Sequence, residues 1–439
     1  MIERSINGQL ENWKDKADRK PLLLFGARQV GKTWVLKHLG KTHFEHCAYF
    51  SIDEEESVGE IFRRTKDPHR IVEQLSYLTD VPIKPQSTLL ILDEIQECPE
   101  ALSTLKYFCE NAPEYAVACA GSLLGLTVGH NGVSFPVGKV DHMDLRPVSF
   151  SEFLKAKDSR LYEYYISIDT IEPIPQVFFD RLSEAFTSYR ICGGMPEVTS
   201  AMLNGQVQLV EEKLANILKD YSLDFIKHTT PVMANKIGHV WQSLPSQLAK
   251  ENRKFVYQLV RPGARAREYE DALIWLKSAG LIHQVRLCRE PRLPLKAYDN
   301  LAVFKVYAND IGLLRRLAGM TPDVYMQSAD LFKEFKGALA ENYILQSFLY
   351  RISDDFRYWA SGNKAEIEFL LQNGTAIIPV EVKSGTSLSG KSLTQYNNTY
   401  APPLRLRFSM QNLKRYNNLV NLPLFMADRT KELINLTTI

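Results

Sequence analysis

The sequence predicts an α/β protein of about three domains, because its length exceeds what one hydrophobic core usually organises. Apolar strands alternate with helical stretches in the first part of the 439-residue chain, and a mostly helical segment follows. Near the carboxyl end, a helix precedes two strands joined by a turn. We expect segments 1–170, 171–325 and 326–439.

Charge, cysteine content and the lack of long apolar runs indicate the cellular compartment in which the protein is expected. The net charge of +2 at pH 7 favours neither nucleic acid nor any other charged partner, because local patches matter more than the sum. Six cysteines occur without a C-x-x-C pair, which is typical of reduced thiols. No apolar run is long enough to span a bilayer and no signal peptide is evident. We expect a cytoplasmic protein with no membrane partner.

A phosphate-binding loop follows the first apolar strand, Pro21–Phe25. In Gly26-Ala-Arg-Gln-Val-Gly-Lys-Thr33, the two glycines let the backbone N–H groups turn towards phosphates, and Lys32 can reach the β- and γ-phosphates. Thr33 offers a hydroxyl to Mg²⁺. ATP and Mg²⁺ are therefore the expected cofactors. The expected nucleotide contacts are Gly26, Ala27, Arg28, Gln29, Val30, Gly31, Lys32, Thr33 and Trp34.

Two later strand ends supply the remaining groups of a nucleotide-hydrolysing site. The apolar run Thr88–Leu92 ends in Asp93 and Glu94, so that Asp93 can bind Mg²⁺ and Glu94 can polarise the attacking water. The strand 115–120 is followed by Ser122, which could sense the γ-phosphate. The expected catalytic residues here are Lys32, Glu94 and Ser122.

The middle segment contains the pattern of a winged helix. Residues 252–285 predict two helices and a strand, and the connection between the helices contains Arg261, Arg265 and Arg267. These arginines could contact the phosphates of DNA or of a nucleotide. An ordinary solvated helix start explains them equally well.

The last segment contains several carboxylates in apolar surroundings. Glu341 falls on or beside the apolar stripe of a helix, where a carboxylate needs a partner. Asn373-Gly374 predicts a hairpin between strands 365–371 and 376–383. Strand alternation puts Glu381 and Lys383 on one face. A tight turn at Asn373-Gly374 would set Glu366, rather than Glu368, opposite Glu381, so either glutamate could serve as a ligand.

With these motifs the chain resembles the AAA-type ATPases of bacteria and archaea that carry a carboxyl-terminal domain of unknown function with a PD-(D/E)XK nuclease-like core. The resemblance covers nearly the whole chain and includes GARQVGKT, LLILDEIQ, AGSLLG, SFPVGKV, SFSEFL, CGGMPEV, DFIKH and RPGARAREYEDALIWLKSAGLI. It implies a P-loop AAA-type ATPase core, a helical and winged-helix middle, and a restriction-endonuclease-like α/β domain.

The resemblance also assigns site residues. It implies Walker A, Walker B and sensor roles for Lys32, Thr33, Asp93, Glu94 and Ser122. In the nuclease-like domain it implies a second Mg²⁺ or Mn²⁺ site with Glu341, Glu368 and Glu381 as ligands and Lys383 as a catalytic residue.

The chain departs from the family pattern at two places. Ser134–Pro136 holds no arginine finger, and the nearest basic residues are Lys139 and Arg146, which predicts slow or partner-stimulated hydrolysis. Glu368 stands where Asp is commoner, and Mg²⁺ tolerates a displaced carboxylate badly. Two hypotheses follow. One is an ATP-regulated, DNA-directed nuclease; the other is a nucleotide-dependent switch whose non-cleaving domain recognises DNA or a protein partner. In either case the partners could include a second copy of the chain, as in a homo-oligomer.

Overall fold

The structure, a computed structural model, describes residues 2–122, 135–250, 254–326, 333–362, 365–386 and 390–437. The chain divides into two compact units. The amino-terminal unit comprises Glu3–Arg146 and Ser278–Leu281, and the carboxyl-terminal unit comprises Pro147–Lys277 and Ile282–Ile439 with the first two residues. The predicted boundaries at residues 170 and 325 stay predictions.

The amino-terminal unit is an α/β layer structure around a parallel sheet. Its elements are α1 (Asn7–Asp15), β1 (Leu22–Phe25), α2 (Lys32–His43), β2 (His46–Ser51), α3 (Glu56–Arg64), α4 (Pro68–Ser76), β3 (Thr88–Asp93), α5 (Pro99–Asn111), β4 (Ala116–Ala120) and β5 (Asp141–Asp144). The strands are parallel in the order β2-β3-β4-β1-β5. Since β4 lies between β1 and β3, the loops that leave these three strands meet at one edge of the sheet.

Sequence explains why these elements begin and end where they do. Every residue of β3 is buried, including Asp93 at its carboxyl end. Two helices, α3 and α4, follow β2 rather than one, because Asp67 caps a new helix by accepting a hydrogen bond from the His69 N–H, and Pro68 fits the first turn of that helix.

The carboxyl-terminal unit begins with helices. In chain order these are α6 (Phe150–Lys157), α7 (Ser159–Ser167), α8 (Gln176–Cys192), α9 (Pro196–Leu203), α10 (Val207–Lys227), α11 (Pro231–Leu248), α12 (Tyr257–Val260) and α13 (Ala266–Ser278). The predicted first helix of the winged-helix pattern is only the single turn α12, and residues 251–253 lie outside the described ranges. In the helices of the described ranges, we find none that is long and apolar enough to cross a membrane.

A mixed sheet occupies the rest of this unit. The remaining elements are β6 (Ile282–Cys288), β7 (Asp299–Ala308), α14 (Ile311–Leu317), α15 (Pro322–Met326), α16 (Lys333–Arg351), β8 (Arg357–Ala360), β9 (Glu366–Asn373), β10 (Ala376–Val382), α17 (Lys391–Tyr400), β11 (Arg405–Ser409), β12 (Lys414–Tyr416), β13 (Leu419–Pro423) and α18 (Thr430–Thr437). The strand order is β12-β13-β11-β10-β9-β8-β6-β7. The hairpin β6–β7 thus extends the sheet, because β6 pairs in parallel with β8.

The predicted hairpin between β9 and β10 is present, but its turn lies one residue later than predicted. Asn373 pairs with Ala376, so Gly374 and Thr375 form the turn, and Gly374 has a left-handed φ of 58°. The register runs to Phe369 opposite Val380, and its continuation brings Glu368 to Glu381. The alternative that Glu366 lies opposite Glu381 is therefore wrong.

Candidate nucleotide site and carboxylate cluster

The loop between β1 and α2 has the backbone of a phosphate-binding turn. Gly26, Gln29 and Gly31 have positive φ values of 148°, 66° and 93°. A Cβ at Gly26 would lie 2.3 Å from the Leu145 carbonyl oxygen, so a larger residue does not fit there. Two glycines are needed at these positions because side chains rarely adopt this backbone conformation.

Lys32 lies inside this loop. Its Nζ donates to the carbonyl oxygens of Gly26 and Ala27, at 2.9 Å each. Burial lowers the pKa of Lys32 to about 8. Phosphate oxygens close to this side chain would favour its protonated form, since a nearby negative charge raises the pKa of an amine.

Asp93 joins three parts of the unit. Its Oδ2 accepts hydrogen bonds from Thr33 Oγ1 at 2.6 Å and from Tyr49 Oη at 3.1 Å, and its Oδ1 accepts from the Glu94 N–H at 3.1 Å. The predicted pair Thr33 and Asp93 therefore lies in direct contact. Tyr49, in β2, was not predicted as a site residue. Burial is the main cause that raises the pKa of its phenol, and the negative charge of Asp93 is the second.

Glu94 and Ser122 also meet. Glu94 Oε2 accepts from the Ser122 N–H and from Ser122 Oγ, each at 3.3 Å, and from Gln96 Nε2 at 2.6 Å. Glu94 has a left-handed φ of 49°, which a non-glycine residue adopts at an energetic cost and which is common at functional sites. Gln96 is a further contact that the sequence did not indicate.

Other residues support the loop. Arg4 is buried and donates to the carbonyl oxygens of Val30, at 3.1 Å, and Arg146, at 2.5 Å. Trp34, the last predicted nucleotide contact, is 40% exposed and stacks on His38 with ring centroids 5.0 Å apart. Arg4 gave no sequence signal, because it lies far along the chain from the residues that it joins.

The region expected to lack an arginine finger is described only in part. Ser134 lies outside the described residues, as do Leu123–Gly125 of the AGSLLG motif. Lys139 forms an ion pair with Glu110, with Nζ and Oε1 2.9 Å apart.

The predicted winged-helix arginines lie at the exposed start of α13. Arg265 and Arg267 are exposed, but the exposed residues of the same helix include Glu268, Glu270 and Asp271. Acidic groups beside the arginines weaken the attraction of this helix for phosphates.

The second group of predicted residues lies in the carboxyl-terminal unit. We call Glu341, Glu366, Glu368 and Glu381 the carboxylate cluster. Glu341, in α16, is 1% exposed and accepts a hydrogen bond from Tyr307 Oη at 3.2 Å. Lys305 Nζ, from β7, bonds Glu366 Oε1 and lies 3.9 Å from Glu341 Oε2.

The other two carboxylates of the cluster, Glu368 and Glu381, also have cations near them. Glu381 Oε2 accepts from Arg407 Nε at 2.9 Å, and Glu381 Oε1 forms an ion pair with Lys383 Nζ at 3.2 Å. Glu368 Oε2 accepts from the Val382 N–H at 3.2 Å. Burial raises the pKa of Glu368 to about 7, with Glu381 and Glu366 also raising it and Lys305 and Lys383 opposing the shift.

This donor set does not fit the metal that a nuclease-like fold implies. In the described part of the chain, no three His, Cys, Asp or Glu side chains are grouped as metal ligands. Glu341, Glu366 and Glu381 instead contact the protein's own cations.

Three protein families match separate parts of the chain. Residues 18–154 match an AAA domain, residues 183–324 match a domain of unknown function (DUF8612), and residues 336–425 match a second domain of unknown function (DUF4143). The first match identifies an AAA-type ATPase domain with the phosphate-binding loop described above. The descriptions of the other two families name no activity. No protein of curated function is significantly similar to the chain.

Several solved structures resemble the chain distantly. They include a Walker-type ATPase of Pyrococcus abyssi, at 15% identity and a TM-score of 0.46 over 72% of this chain and 96% of that one. The ORC2 protein of Aeropyrum pernix in its ADP form has 12% identity and a TM-score of 0.31 over 75% and 95%. AMPPCP-bound DnaA from Aquifex aeolicus has 14% identity and a TM-score of 0.27 over 63% and 89%. These likenesses are too distant to assign a function.

Proposed function

We propose that the chain binds and hydrolyses ATP with Mg²⁺ and that its nucleotide state controls binding of a partner by the carboxyl-terminal unit. One observation carries the proposal. Thr33, Asp93, Glu94 and Ser122, which come from three separate parts of the sequence, form two hydrogen-bonded pairs at adjacent loops of one sheet edge, linked by the Glu94 N–H to Asp93 contact.

Each residue has a role that follows from its chemistry. Lys32 offers a positive charge inside the loop, and Thr33 and Asp93 offer the oxygen ligands that Mg²⁺ prefers. Bound Mg²⁺ would neutralise charge on the phosphates. Glu94 is placed to orient and deprotonate water, while Ser122 holds the Glu94 carboxylate.

Coupling is supported by the path of the chain. The segment Ser278–Leu281, which begins at the last residue of α13, groups with the amino-terminal unit. Within that unit, a Cβ built on Gly280 would lie 3.4 Å from the Ala27 nitrogen, so the segment reaches the phosphate-binding loop. A change in this loop would thus act on a segment covalently joined to α13.

The test of hydrolysis compares Glu94→Gln with a neighbouring control. Glu94→Gln is expected to retain ATP binding and to lower turnover by about 10²-fold or more, because it removes the base but not the loop. Glu97→Gln, three residues further on, should turn over ATP at the wild-type rate. Undiminished hydrolysis in Glu94→Gln would remove Glu94 from this role.

For the carboxyl-terminal unit, we propose a nuclease-like fold that recognises DNA or a protein partner without cutting. The pairing of the carboxylate cluster with Lys305, Arg407 and Lys383 favours this hypothesis over cleavage by a second Mg²⁺ or Mn²⁺. In a plasmid assay with Mg²⁺ or Mn²⁺ and ATP, neither wild type nor Lys383→Ala should release product. Cleavage by wild type that disappears in Lys383→Ala would instead establish a nuclease.

A further inference from the structure

The side chain of Lys305 occupies an unusual position for a lysine. It is fully buried, with Nζ bonded to Glu366 and 3.9 Å from Glu341. The same Nζ lies 4.8 Å from the centroid of the Tyr358 ring. A buried ammonium is costly unless it is paired, so the carboxylates and the ring around it must supply the compensation that water would give.

We propose that Lys305 is the resident cation of the carboxylate cluster and takes the place of the divalent metal that a nuclease-like fold implies. This inference rests on the proposed nuclease-like fold and is independent of ATP hydrolysis. It gives the cluster a structural role, in which one ammonium group fastens the hairpin β6–β7 to α16 through Glu341 and to β9 through Glu366.

Charge balance supports this assignment. The four carboxylates of the cluster face three cations, namely Lys305, Lys383 and Arg407. Even with all four carboxylates ionised, these three cations leave a net charge of only −1 in the cluster. A divalent ion added to this group would create an excess of positive charge in a buried place.

Ligand chemistry supports it as well. Mg²⁺ requires near-octahedral oxygen ligands and keeps several water molecules. The Glu381 oxygens are engaged by Arg407 and Lys383, and Glu341 is engaged by Tyr307 and Lys305. A metal would have to displace several of these cations or hydrogen bonds, whereas Lys305 already contacts Glu366 and lies 3.9 Å from Glu341.

The position of Lys305 in the chain explains why the predicted carboxyl-terminal segment, residues 326–439, gave no sign of a resident cation. Lys305 belongs to β7, and it lies 61 residues before Glu366, within the region matched to a different family. The strand order places β7 at the end of the same sheet as β9 and β10. Although β6 and β8 lie between β7 and β9 in that order, the ammonium group contacts Glu366 of β9 and lies 3.9 Å from Glu341 of α16.

The first test measures Mn²⁺ binding by the full-length chain without nucleotide, using electron paramagnetic resonance of free Mn²⁺. Wild type and Glu381→Gln should give the same binding curve, because the cluster holds no metal in either. A saturable Mn²⁺ site in wild type that disappears in Glu381→Gln would overturn the proposal. ATP turnover is measured on the same samples, so that a failure of the hydrolysis proposal is seen separately.

The second test follows hydrogen exchange of the β7 amides. Lys305→Met keeps the length of the side chain and removes its charge, and it should speed exchange in β7 by about 100-fold, because it leaves buried carboxylates without their cation. Lys305→Arg, which keeps the charge, should protect β7 more than Lys305→Met does. Lys383→Met, at the partly exposed rim, is the control and should leave β7 unchanged. Unaltered exchange in Lys305→Met would refute the role.

Discussion

Removing the hydroxyl of Tyr49 tests whether a residue outside every motif sets the position of Asp93. The phenol donates a 3.1 Å hydrogen bond to Asp93 Oδ2, the same oxygen that Thr33 contacts. Lys37 Nζ lies 3.3 Å from the centroid of the Tyr49 ring and helps to hold it. Tyr49→Phe keeps the ring and removes only the bond to the carboxylate. We therefore expect Asp93 to become less well oriented for Mg²⁺.

The magnitude follows from this geometry. A hydrogen bond to a charged group contributes about 1.5–3 kcal/mol. Tyr49 is half-buried, so solvent screening reduces this to about 1 kcal/mol. A free-energy change of that size corresponds to about a five-fold weaker apparent affinity for Mg²⁺.

The assay is ATP turnover as a function of Mg²⁺ concentration at saturating ATP. The half-saturating Mg²⁺ concentration should rise in Tyr49→Phe, while the turnover number at saturating Mg²⁺ stays within about two-fold of wild type. Tyr115→Phe is the matched control, because Tyr115 is also half-buried in this unit and contacts the His69 ring instead. An unchanged Mg²⁺ dependence, or an equal shift in the control, would refute the reasoning.

Two further predictions concern the carboxyl-terminal unit. The pKa of Glu368 is raised from its ordinary value of 4.5 to about 7, mainly by burial, so its contribution to stability is fully present below 4.5 and is lost as the pH rises through 7. Glu368→Gln should therefore raise the melting temperature more near about pH 8 than near about pH 5; equal effects at both pH values would contradict this. If α13 binds DNA, Arg265→Ala with Arg267→Ala should reduce the slope of log affinity against log salt by up to about 2. An unchanged slope would place the DNA contacts elsewhere or exclude them.

The sequence predicted those motifs whose residues are neighbours along the chain and whose function depends on local backbone conformation. The phosphate-binding loop requires Gly26 and Gly31 at fixed spacing, and an apolar strand that ends in Asp93 can be recognised without knowing its neighbours. Tyr49 and Lys305 could not be found in this way. Each contacts a carboxylate of a distant segment, 44 and 61 residues along the chain. Tyr49 does so from the strand that pairs with β3, and Lys305 from β7, which does not pair with β9.

The hairpin shows a different limit of prediction. Asn373-Gly374 correctly indicated a turn, but the turn occupies Gly374 and Thr375. The shift changes which glutamate lies beside Glu381, because register determines the cross-strand neighbour of every residue in a hairpin. Turn chemistry identifies that a hairpin exists more reliably than it identifies the residues that pair across it.

The mixed sheet is built from strands of both carboxyl-terminal matched regions, so neither region can be exchanged in evolution without the other. The DUF8612 match ends at residue 324 and the DUF4143 match begins at residue 336, yet β6 lies before that gap and pairs with β8 after it, with β7 paired to β6. A chain starting at residue 326 would expose the edge of β8, a surface prone to aggregation, and would separate Lys305 from the glutamates that it neutralises. Recombination between relatives would therefore preserve this fold only when both matched regions are exchanged together.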